Sequence, residues 1–64
     1  MTNELAAAAR TVKAAYRGLR ETAHKQLGVR YAKEALQFAE RNPAHAAEML
    51  SRARFHLPYA KEAA

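Results

Sequence analysis

Apolar residues recur along the chain at helical spacing, and the pattern divides into segments. Leu5, Val12 and Leu19 stand seven residues apart, and Ala8, Ala9, Ala15, Tyr16 and Ala23 fill the same stripe. Thr2 or Asn3 is a suitable N-cap, and Glu4 comes next, where the helix dipole favours an acid. Strong helix formers fill the intervening positions, Gly18 being the only weak point, so the pattern predicts a helix over about residues 3–27.

Gly28 is the next joint. As a C-terminal cap it ends the first helix and leaves about 29–41 for a second. The stripe Leu19, Ala23, Leu27, Tyr31, Ala35, Phe38 nevertheless passes through it in steps of three and four, so one long helix with an internal glycine, costing about 1 kcal/mol, is the alternative. Asn42-Pro43 is a sharper signal. Asn is a favoured cap, Pro is a favoured first helical residue, and its ring discourages helical geometry in the residue before it. A further helix is therefore predicted over about 43–57, with Ala46, Met49, Leu50, Ala53 and Leu57 inward and Glu48 and Arg52 paired outside. Pro58 lacks a backbone donor and is predicted to end or kink that helix, leaving 58–64 as a short or frayed tail.

The pentapeptide YAKEA occurs at Tyr31–Ala35 and again at Tyr59–Ala63. The residues before the two copies agree only in part, and the first copy lies within a helix while the second comes after a proline. A tandem repeat needs several units to bury a core, so the recurrence reads as one amphipathic solution used twice.

Composition narrows the architecture. The chain has 64 residues, enough for one small helical domain, and 17 of them are alanine. Alanine gains little from burial but lets helices approach closely. The expectation is an all-α fold, a small three-helix bundle or a long-helix hairpin, completed by homodimerisation. The longest apolar run, Leu5–Ala9, is too short to cross a bilayer, and nothing has the pattern of a signal peptide. A cytoplasmic protein is expected.

The net charge of +5 would attract nucleic acid or an acidic protein surface without choosing between them. On the first predicted helix Arg10, Lys13, Arg17, Arg20 and His24 succeed one another at spacings of three and four, opposite the Leu5, Val12, Leu19 seam. Such a face can hold phosphates, and it can equally be a solvated surface. A helix-turn-helix alignment that places Gly28 in the turn fails at His24, Glu34 and Gln37, which stand where small or apolar residues belong. The apolar side of the basic helix is mostly alanine with no Trp or Phe to insert, so membrane binding is not expected.

Chemistry has little to work with. There is no cysteine and no aspartate, and His24, His45 and His56 are spaced too widely for one helix to bring them to a shared ion, since 11 residues span about 16 Å. No metal or other cofactor is expected. Ser51 has no activating partner in the sequence, no Gly-rich phosphate loop is present, and the six glutamates define no acid–base pair. The chain is read as not an enzyme.

The third predicted helix carries a different signal. Phe55 lies away from the inward stripe, Tyr59 continues its face if the backbone stays helical past Pro58, and Arg52 and His56 flank them. Aromatic residues and Arg on an outward face are the types that dominate protein interfaces, although packing on the first helix or on a second copy would also employ them. In its short length, its Ala/Arg-rich helices and its lack of catalytic residues, the chain resembles the small helical accessory proteins of bacteriophages, including anti-activators of quorum sensing and other inhibitors of host proteins. That resemblance implies a small, often dimeric helical protein that binds and blocks a host regulator. Phe55, Tyr59, Arg52 and His56 are then the candidate protein contacts. Nucleic-acid binding through Arg10, Lys13, Arg17 and Arg20 is the alternative.

Overall fold

The computed structural model describes residues 3–63, which form three helices: α1, Glu4–Ala15; α2, Ala23–Phe38; and α3, Pro43–Glu62. They pack as a three-helix bundle in which α2 and α3 form the largest interface and α1 lies against both. Each start is capped as its sequence dictates. The side chains of Asn3, Thr22 and Asn42 accept from the backbone N–H groups of Ala6, Lys25 and His45 at 3.1, 3.2 and 3.2 Å. Thr2, the other cap candidate, lies outside the described residues.

The first helix ends far short of residue 27. Tyr16 is its C-cap, Gly18 adopts φ +78°, and the chain turns before Thr22 opens α2. A left-handed φ is inexpensive for glycine, so the one weak point in the helical pattern is where the chain reverses. The Lys25 ammonium donates to the Leu19 carbonyl at 2.7 Å and fastens this turn to α2.

Gly28 accordingly does not break a helix. It is buried within α2, and a Cβ built on it would overlap the ring of Tyr16. Tyr16 is fully buried there, and its hydroxyl donates to the Ala53 carbonyl of α3. One side chain thus joins all three helices. Burying a tyrosine removes about 150–250 Å² from water, worth on the order of 4 kcal/mol, and the hydrogen bond offsets the desolvation of its hydroxyl.

Breaking the chain at Gly18 also shifts the phase of the second helix. The inward face of α2 is Gly28, Ala32 and Ala35, with Ala39 at its end. Ala23 and Leu27, expected inside, are exposed, and Tyr31 and Phe38 are half-buried. On α3, Ala46, Met49, Leu50 and Ala53 are buried as the pattern predicts, with Leu57 partly so.

The expected end at Pro58 is corrected too, because α3 continues to Glu62. Pro58 and Arg54, whose carbonyl loses its helical donor, are both exposed, so water can meet the orphaned group. Ala60, fully buried two residues on, holds the last turn against the core.

Gly28→Ala separates packing from propensity. Propensity alone favours alanine by about 1 kcal/mol inside a helix. The Tyr16 contact reverses the sign, and urea denaturation of the variant is expected to show a loss of about 2–3 kcal/mol, in the range for overpacked cores. A neutral or stabilising result would mean that Tyr16 is not seated on Gly28.

Candidate interaction surface

Among the described residues, eight of the twelve buried hydrophobic ones are alanine, so the bundle has little room inside for large side chains. Several of these are outside instead. Phe55 is 62% exposed, Tyr59 45% and Leu27 36%. Phe55 and Tyr59 belong to one surface, built where α2 runs beside α3.

From α3, helical spacing places Arg52, Phe55, His56 and Tyr59 along one side. The Phe55 ring meets His56 edge-on at 5.3 Å between centroids and Tyr59 at 5.5 Å. Across from them, α2 contributes His24 and Tyr31. His24 stacks on Tyr59 at 5.1 Å, and Tyr31 stacks on His56 at 5.8 Å with planes only 10° apart. Leu27 stands between His24 and Tyr31 on the same side of α2. The Arg52 guanidinium bonds Glu48 at 3.3 Å and lies 5.8 Å from the Tyr31 ring centroid.

His24 and His56 meet at the centre. Their Nδ1 atoms are 2.9 Å apart while the ring centroids are 5.1 Å apart, so the two nitrogens face each other between the rings. One must donate and the other accept. An ion bound by both would need about 2.0–2.1 Å on each side, for which that line has no room. Among the described residues no group of three or more His, Cys, Asp or Glu converges on a point that would hold a metal. The residue separations along one helix do not govern this pair, because the two histidines come from different helices.

The four candidate contacts read from the sequence therefore sit together, and Phe55 and Tyr59 are open to solvent rather than packed on α1. The sequence reading missed the α2 half: His24, Leu27 and Tyr31. Their membership depends on the phase of α2, and the misplaced break concealed it.

The basic set is divided by the fold. Arg20 lies in the turn after α1, so the run from Arg10 to Arg20 is not one continuous helical face. Lys13 and Arg17 line an open concavity with Lys25, Val29 and Lys33 of α2, whereas Arg10 and Arg20 lie outside it. No described helix is long and apolar enough to cross a membrane.

The histidine pair makes stability depend on pH. Burial, and then the neighbouring charge of His24, lower the His56 pKa from its ordinary value. As pH falls through about 6.5 the unfolded chain takes up this proton first, so stability declines until folded His56 also titrates and then levels off. The urea midpoint is expected to fall between about pH 7.5 and 5.5, and His56→Asn to remove most of that fall. An unchanged pH slope in His56→Asn would show that folded His56 does not hold the lowered pKa.

No protein-family model, curated protein or solved structure matches this chain, so its surfaces are read from their own chemistry.

Proposed function

We propose that this chain is a non-catalytic helical interaction module that binds another protein through the aromatic face of α2 and α3 and thereby inhibits or modulates it. The supporting observation is the exposure of Phe55 and Tyr59 in one patch that already contains Tyr31, two histidines and Arg52, with Leu27 exposed nearby on the same side of α2. Contiguous exposed apolar surface rimmed by polar groups marks interaction sites, and aromatic residues and Arg supply most hot spots. Phe55 is the anchor of this reading, and Arg52 and His56 are its polar rim.

The partner class comes from the resemblance to bacteriophage accessory proteins: a host regulator such as a transcription factor, met in the cytoplasm of the bacterial cell. The net charge of +5 would speed encounter with an acidic partner. Self-association belongs to the same reading. A core this rich in alanine leaves the large side chains unburied in a single copy, so the free protein is a homodimer paired across the aromatic face until a partner replaces one copy.

The test is a tagged pull-down from nuclease-treated bacterial lysate, with sedimentation of the purified chain. Wild type is expected to sediment as a dimer and to retain one stoichiometric protein. Phe55→Ala with Tyr59→Ala should keep the helical circular dichroism, shift toward monomer and weaken capture at least about tenfold, the effect of losing one to two hot spots. Unchanged assembly and capture in the double variant would refute the proposal, as would complete loss of partners on nuclease treatment.

A further inference from the structure

The other flank of α2 holds a separate feature. At about 100° per residue, Val29 and Lys33 lie roughly 140–180° around the helix from His24 and Tyr31, which places them on the α1 side of α2. Here two adjoining open concavities of about 360 and 280 Å³ share Lys25, Val29 and Lys33. Arg30 completes the cationic lining of the first, and Lys13 and Arg17 that of the second. Five cations, from α1, the turn after it and α2, thus border these two adjoining concavities.

Their counter-charges are few. Glu21 is the only carboxylate in the lining, and it pairs with Lys25 at 3.2 Å. Lys25 is further held by the Leu19 carbonyl, so it is part of the turn. Lys13, Arg17, Arg30 and Lys33 have no carboxylate partner among the described residues. Four like charges gathered around a concave surface without internal neutralisation repel one another and are relieved by a polyanion.

We infer that this depression is a binding site for the phosphate backbone of double-stranded nucleic acid. The lining distinguishes that ligand from an acidic protein. A protein partner needs a large apolar or aromatic anchor, and Val29 is the only sizeable apolar residue here that is not fully buried, because Tyr16 is inside the core. Phosphates need only charge and donors. The same lack of an exposed aromatic leaves unpaired bases nothing to stack on, which disfavours single strands. The contact is to the backbone and independent of base sequence.

This site differs from the basic face of a continuous first helix in its members. Lys13 and Arg17 remain, Lys25, Arg30 and Lys33 join them from α2, and Arg10 and Arg20 take no part. It is also independent of the aromatic face, so either surface can fail its test without the other.

Fluorescence anisotropy with a short DNA duplex across a salt series reads the site directly. Four phosphate contacts give a slope of log K against log salt of roughly −3 to −4, and Arg17→Gln and Lys33→Gln are each expected to reduce its magnitude by about 0.9. Arg10→Gln and Arg20→Gln, which alter net charge by the same amount, should leave the slope unchanged. All four positions are exposed, so each variant is expected to keep the helical circular dichroism of the wild type. The inference is overturned by absence of duplex binding at low salt, by equal effects of the Arg10 and Arg20 changes, or by equal affinity for a single strand or for polyglutamate of matched charge.

Discussion

The bundle depends on the insertion of Tyr16 between α2 and α3. Its ring occupies the space left by the missing side chain of Gly28, and its hydroxyl reaches the backbone of α3 at Ala53. In a core made mainly of alanine this is the only large side chain, among the described residues, that is buried completely. The position where α1 stops, the phase at which α2 begins and the closeness of all three helices result from seating that one ring. Gly18 serves the same end by letting the chain reverse two residues later.

A core of small residues has a consequence for the surface. Alanine interfaces bring backbones close together and leave no depth in which to hide Phe55, Tyr59 or Leu27. The aromatic residues therefore collect along the seam between α2 and α3, where they contact one another and the two facing histidines. The His24–His56 contact needs one nitrogen to donate and the other to accept, and burial together with the neighbouring His24 holds the His56 pKa below its ordinary value. The same contact that orders the patch makes it sensitive to acid.

Helix α2 organises both surfaces. One side of it is buried, one flank joins α3 in the aromatic seam, and the other joins α1 beside the basic depression. The two surfaces differ in the kind of energy they offer: desolvation of aromatic rings on one side, release of counterions on the other. Their separation by more than a quarter-turn of helix lets both be occupied without overlap.

The all-α architecture, the caps at Asn3 and Asn42, the start of α3 at Pro43 and its buried stripe were legible in the sequence, because each is set by residues within a turn or two of one another. The outward position of Phe55 was legible for the same reason. The path between α1 and α3 was not. The seven-residue recurrence of Leu5, Val12 and Leu19 fits one continuous helix as well as it fits a helix with a turn after it, and Gly28 looks like a cap to any local rule. Only the meeting of Tyr16 with Gly28, twelve residues apart in the chain and across two helices, distinguishes the cases. Pro58 is similar, since its effect on α3 is decided by Ala60 packing on the core. The pairing of His24 with His56 and the gathering of Lys13 and Arg17 with Lys33 lie further still from local pattern. Local periodicity determined which segments are helical; contacts between distant residues decided where the helices break, which faces turn inward and which side chains share a surface.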